Sequence, residues 1–314
     1  MVDVTHPLRP SAVASAAARP GRSGLHRMMR RRTTTAVLMC LPLMAIVGGL
    51  ILYPALYAFY LSTLNKAQTK FLGLGNFTFL LTRDTFWMVV WQSAIFAVSA
   101  VFFKALIGLI TAHLVNNLPA KGQRKWRGML LVPWVIPLAL STLSWWWLFD
   151  PTHSAFNYVI EAFGGNPIAW LGEPYWARFS VILVNVWYGA PFFLIMYLAA
   201  LKSVPGELYE AAQIDGANSW QRFAHITLPM MRNIIAITVL FSLIVTFANF
   251  DIVRIMTNGG PRNMTHVFAT YAFKVGIESG DIPLGASVSL FMLPILAISA
   301  VFILRGVRKR GREI

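Results

Sequence analysis

The chain has 314 residues, of which 57% are hydrophobic and only 12% charged, with a formal net charge of +15. So few charges cannot clothe so much apolar surface in water, which excludes an ordinary soluble globule. The basic residues sit in short stretches between long apolar runs, a distribution that a membrane produces and that a nucleic-acid-binding domain does not.

Residues 1–32 are rich in Ala, Pro, Ser and Arg and nearly free of acid, and read as a disordered basic tail. An organellar transit peptide shares that composition. The apolar run that follows, from about Ala36 to Leu61, is longer than a signal-peptide core and has no convincing small-residue cleavage site after it, so it is predicted to be a retained span. A hydrocarbon core about 30 Å thick takes roughly 20 helical residues. Five further runs meet that demand, at about Phe86–Val115, Met129–Phe149, Phe179–Leu201, Ile234–Met256 and Leu284–Leu304. Lipid cannot satisfy a bare backbone and no alternating strand pattern is present, so the spans are read as helices. The expected fold is an all-α integral membrane protein with six transmembrane helices over residues 33–310.

Positive loops stay in the cytoplasm. Arg30, Arg31 and Arg32 in the tail, Lys121, Arg124, Lys125 and Arg127 in the second loop, Lys202, Arg222 and Arg232 in the fourth, and Arg305, Arg308, Lys309, Arg310 and Arg312 at the end all fall on one side. Asp84, Asp150, Glu161, Glu173, Glu278 and Asp281 fall in the intervening loops. Both termini are thus expected inside, in a plasma (inner) membrane. The single cysteine, Cys40, rules out an intramolecular disulfide, and the six histidines lack the spacing of a zinc hydrolase, so no catalytic residue and no metal site is expected.

The fourth loop, 202–233, is large enough to need its own explanation. In it Pro205 can start a short helix, Gly216 can break it, and Ser219 can cap a second helix before Pro229 leads into the next span. Glu207, Glu210 and Asp215 put acid beside an apolar side formed by Leu208, Ala211, Ala212 and Ile214, a combination suited to docking on a soluble partner. Glu210-Ala211-Ala212, Gly216 after three intervening residues, and Ile226, Leu228 and Pro229 after nine more resemble the EAA loop of binding-protein-dependent ABC importer permeases. The flanking Tyr209, Asp215, Ala217, Trp220, Phe223 and Thr227, with FLGLGNF at 71–77 and TNGGP at 257–261, are similar to the carbohydrate branch and its maltose-type subunit.

The resemblance implies a sugar importer in which this permease pairs with a second homologous permease, a cytoplasmic ATPase dimer and an extracytoplasmic sugar-binding protein. ATP and Mg would be used by the ATPase, and no cofactor would be bound by this chain, which has no phosphate loop of its own. Glu210 would make the ionic contact with the ATPase, Ala211 and Ala212 would pack closely against it, and Gly216 would make the turn. An amphipathic helix resting on headgroups is the alternative for the same loop.

Within the spans, Lys104 carries a charge that is costly in lipid unless it finds partners or reaches the headgroups. Asn185 and Tyr188 in the fourth span, Asn249 and Asp251 near the outer end of the fifth, and Trp147 at the end of the third are the other candidate pathway residues. Asp251 and Arg254 have the spacing of an ion pair on one helix face. Trp145, Trp146 and Trp147 also suit an interfacial belt, and Pro191 after Gly189 suits a kink. An ion-coupled secondary carrier and an importer permease for a non-sugar solute stay open at this level.

Overall fold

The computed structural model describes residues 32–152 and 154–310, so the tail expected over 1–32 lies outside the described residues except for Arg32. The chain divides into two units, one ending at Leu56 and one starting at Tyr57. In the first, α1 (Arg32–Val47) leads through a π turn (Gly48–Leu52) into α2 (Tyr53–Ser62), within which the boundary falls. Pro54 has no N–H to give to an α-helical ladder, and the π turn lies just ahead of it.

The second unit is all helix: α3 (Gly75–Leu81), α4 (Asp84–Asn116), α5 (Ala120–Leu130), α6 (Val132–Val135), α7 (Leu138–Leu148), α8 (Ala155–Ala162), α9 (Pro174–Lys202), α10 (Gly206–Ile214), α11 (Ser219–Arg222), α12 (Leu228–Phe247), α13 (Asp251–Met256), α14 (Phe268–Phe273) and α15 (Ile282–Arg310). Among the described residues, five helical stretches are long and apolar enough to cross a membrane: Thr35–Ser62, Asp84–Asn116, Pro174–Lys202, Ser219–Phe247 and Ile282–Ile303. The run expected as a third span, Met129–Phe149, is not one continuous helix. Pro137 disfavours α geometry at the residue before it, and Ile136 is extended (φ −72°, ψ 135°), which splits the run into α6 and α7. The expected fifth span is also shorter, because the helix stops at Phe247 and restarts at Asp251. Pro191, in contrast, leaves α9 unbroken.

The core is built on α4 and α9, which run side by side. At one end Val101, Ala112 and Val115 of α4 pack with Phe193, Tyr197 and Leu201 of α9 and Met231 of α12. At the other, Phe96 meets Phe149, Trp170, Val181, Ile252 and Val267. Gly108 brings the two helices together, since a Cβ there would lie 2.3 Å from the Phe193 Cβ and 3.1 Å from its backbone carbonyl carbon. Small residues permit such close approach where lipid offers no hydrophobic drive for association. Gly108→Ala is therefore expected to lower stability by about 1–3 kcal/mol, the usual cost of overpacking. Gly128→Ala, with nothing within 4 Å, should lower nothing. Thermal unfolding of the two purified variants in detergent checks the pair.

Two ends of the bundle can be told apart by which loops share them. The Lys202 Nζ donates to the Gln123 Oε1 at 2.9 Å, tying the basic α5 segment to the end of α9. At the opposite end the Lys66 Nζ donates to the Ser279 carbonyl at 3.3 Å, tying the first connection to the fifth. Within the FLGLGNF stretch, Asn76 donates to the carbonyls of Ser62 at 2.8 Å and Leu64 at 2.7 Å, closing the loop after α2.

Candidate functional site

The loop between α9 and the next long helix folds as two short helices with a tight turn. Pro205 stands at the N-cap of α10. At the other end Gly216 has φ +79°, a conformation that L side chains rarely adopt, and the Ala217 N–H reaches back to the Ala212 carbonyl at 2.8 Å while the Gly216 N–H reaches Gln213 at 3.1 Å. This is a Schellman ending, and it explains why glycine stands at that position. The second helix is capped by Asn218, not by the expected Ser219. The Asn218 Oδ1 accepts from the Gln221 N–H, and the Gln221 Oε1 accepts from the Asn218 N–H, both at 2.8 Å. From Ser219 the chain continues as helix without interruption to Phe247, with a π turn at Phe223–Thr227 just ahead of Pro229. The Tyr209 hydroxyl bonds the Thr227 hydroxyl at 2.9 Å and so fastens α10 to that helix.

This unit turns its partner-seeking groups outward. Glu210 and Ala211 are exposed, as are Gly216 and Pro229, while Ala212, Ile226 and Leu228 are half-buried. Ile214 is 87% exposed and Trp220 is 72% exposed, large apolar surfaces that nothing among the described residues covers. Between the two short helices lies a groove of about 340 Å³ bordered by Ala212, Gly216, Gln221 and Ile226.

Inside the bundle, Lys104 is buried, and it has partners. Its Nζ donates to the Asn185 Oδ1 at 2.9 Å and to the Thr246 Oγ1 at 2.8 Å, so α4, α9 and α12 meet in one polar knot. Gly189 makes room for it, because a Cβ there would lie 2.4 Å from the Lys104 Cδ. The lysine does not reach for the headgroups.

The model of the family described as "Binding-protein-dependent transport system inner membrane component" matches residues 104–309, a stretch that contains both the polar knot and the EAA loop. The chain belongs to that family. It is thus a permease-type subunit of an ABC-type importer and works with a separate ATPase. It is 30% identical to the trehalose/maltose transport system permease protein MalF of Thermococcus litoralis, over 89% of this chain and 96% of that one. It is 31% identical to the sulfoquinovosyl glycerol transport system permease protein SmoG of Agrobacterium fabrum, over 85% and 89%. Its fold is that of a chain in the crystal structure of a bacterial ABC transporter involved in the import of the acidic polysaccharide alginate, with a TM-score of 0.78 and 21% identity over 91% of this chain and 98% of that one.

The remaining candidates of the permease do not converge on the knot. Tyr188 is half-buried on α9, Trp147 is 65% exposed on α7, and Asp251 is exposed at the start of α13. Asn249 is half-buried and accepts from the Ile252 N–H at 3.3 Å, which makes it a helix-start residue. The expected pairing of Asp251 with Arg254 is replaced by a longer-range one. Arg254 pairs with Glu278 and Asn258, and its guanidinium lies 4.9 Å from the centre of the Phe273 ring. The three adjacent tryptophans also separate: Trp145 packs on Phe149, Phe156 and Trp187, while Trp146 and Trp147 are exposed.

Thr246, a member of the knot, and the buried His266 are residues that sequence reading did not single out. The Thr257–Pro261 turn is wrapped around His266: Gly259 has φ +81°, and a Cβ there would fall 2.0 Å from the imidazole. The Thr265 hydroxyl donates to the Gly260 carbonyl at 2.7 Å and closes the turn. Burial, aided by the nearby Lys274, pushes the His266 imidazole down to about 4, so it is neutral at physiological pH. The signal for Thr246 was its polarity within an apolar span.

Proposed function

We propose that the chain is the maltose-type permease subunit of a sugar importer, forming half of the translocation pathway with a second homologous permease. Its relatives' named cargoes, trehalose or maltose and sulfoquinovosyl glycerol, are carbohydrates, which supports the sugar class. The observation that carries the coupling role is the outward display on α10 and α11 of an exposed acid, Glu210, flanked by exposed Ile214 and Trp220. A soluble ATPase dimer can bury that apolar pair and pair that acid, whereas the acid is poorly placed against an anionic leaflet.

The sharing of one bundle end by the α5 and α9 termini, and of the other by the first and fifth connections, supports six crossings with both termini cytoplasmic and α6–α7 as a broken third crossing. Non-helical backbone at Ile136 is tolerable in a membrane where it is covered by protein. Lys104, Asn185 and Thr246 then lie on the pathway side of the bundle, with Asn249, Asp251, Tyr188 and Trp147 towards its outer mouth. Closure of the ATPase dimer on ATP moves α10, which drives the two permeases outward to receive sugar from an extracytoplasmic binding protein. Hydrolysis resets them, a two-state exchange biased by a ligand that prefers one state.

Affinity purification of the chain from its native membrane in mild detergent, with mass spectrometry of what stays bound, tests the assembly. An ATPase with a phosphate loop and a second permease are the expected companions. A chain that purifies alone and still transports in liposomes overturns the proposal.

A further inference from the structure

On a face of α4 and α9 away from Lys104 runs a groove of about 450 Å³. Ile95, Phe103 and Ile107 form its α4 wall at spacings of whole helical turns, and Phe179 and Ile182 stand opposite on α9. Phe103 is 46% exposed, Ile107 39% and Phe179 42%, so the groove opens sideways out of the helix pair. From Ile95 to Ile107 the groove runs about 18 Å along the helix, at 1.5 Å per residue, close to the roughly 15 Å of hydrocarbon in one leaflet.

At the head of this trough stands Arg178, the fifth residue of α9. Its Nε is buried and meets no hydrogen-bond partner among the described residues, and none of the residues around the groove is acidic. A buried donor without an acceptor is costly, and a guanidinium prefers planar anionic oxygens such as those of a phosphate. Sugar is a poor occupant, since Ser99 and Tyr175 bring the only side-chain hydroxyls among the lining residues. An apolar trough one leaflet long, headed by a guanidinium whose buried Nε has no acceptor, suits an amphiphile with an anionic head.

We propose that this groove is a binding site for one phospholipid, with its phosphate on Arg178 and an acyl chain lying between α4 and α9. The inference rests on the chain spanning a membrane and not on the identity of the cargo. In the six-crossing orientation the lipid belongs to the outer leaflet. Its acyl chain contacts the same two helices whose other faces hold Lys104 and Asn185, so the occupant braces the pair that carries the polar knot.

The test uses the intact transporter in nanodiscs of phosphatidylglycerol, transferred to detergent and weighed by native mass spectrometry. The wild type is expected to retain a phospholipid on this chain. Arg178→Gln, which removes the anion contact, and Ile182→Trp, which fills the trough, should each retain at least tenfold less. Equal retention by both variants overturns the site. Independently, a photoreactive amino acid at Phe179 in the otherwise native complex should give an adduct with the mass of a phospholipid. An adduct with another protein subunit shows that a helix, not a lipid, occupies the groove, and overturns the proposal.

Discussion

Glu210→Lys is expected to abolish ATP-driven uptake by the reconstituted transporter while leaving the chain inserted and folded. The side chain is exposed on α10, so the fold of this chain does not depend on it. At an interface the substitution acts twice, removing an attraction and adding a repulsion. Breaking a close, desolvated charge pair costs about 2–5 kcal/mol, which is roughly 30-fold to several thousand-fold in occupancy of the docked state. Uptake into proteoliposomes and co-purification of the ATPase are the two measurements. Normal values of both with Glu210→Lys would sink the role assigned to this residue.

The second large effect is expected at the polar knot. Asn185→Leu leaves the Lys104 ammonium with Thr246 as its only side-chain partner of the two, in a bundle that is apolar around it. Hydrogen bonds to charged groups are worth about 1.5–3 kcal/mol, so the single variant should lose stability of that order. Adding Lys104→Met removes the charge as well, and an apolar pair of similar volume is often as stable as a buried polar one. The double variant should regain most of the lost stability and, with the knot lining the pathway as proposed, still fail to transport. A double variant that is stable and transports normally would show that the knot only holds helices together.

The long spans were legible because hydropathy over about 20 residues is a property of composition, and α4 and α9 extend only a few residues beyond their expected limits. The break in the third run was less so: Pro137 is plain to see, but an average over the window hides one extended residue. The coupling loop was legible in detail because its signals are local. A glycine at a helix end and an amide at a helix start act within three or four residues. Even there Asn218 displaced Ser219, since both are good caps and only the reach of Gln221 decides between them.

Pairings across the chain were not legible. The Lys104 partners lie 81 and 142 residues away, and the Glu278 partner of Arg254 lies 24 away, on another element. The cost of a lone charge in lipid said that partners were needed without saying which. Gly259 looked like any turn glycine, and its actual reason is the His266 ring that later sequence brings against it.

The unbroken helix from Ser219 to Phe247 makes the proposed coupling unit the foot of a lever. Its 29 residues span about 43 Å at 1.5 Å per residue, so each ångström of push at the foot swings the rod through only about 1°. The π turn at Phe223–Thr227 lies at the base of this rod, beside the Tyr209 contact, and the shaft above it is regular α-helix. Gearing is then set by shaft length: under the coupling proposed above, a stroke at the foot reaches Thr246, the knot residue near the far tip, as rotation of the shaft.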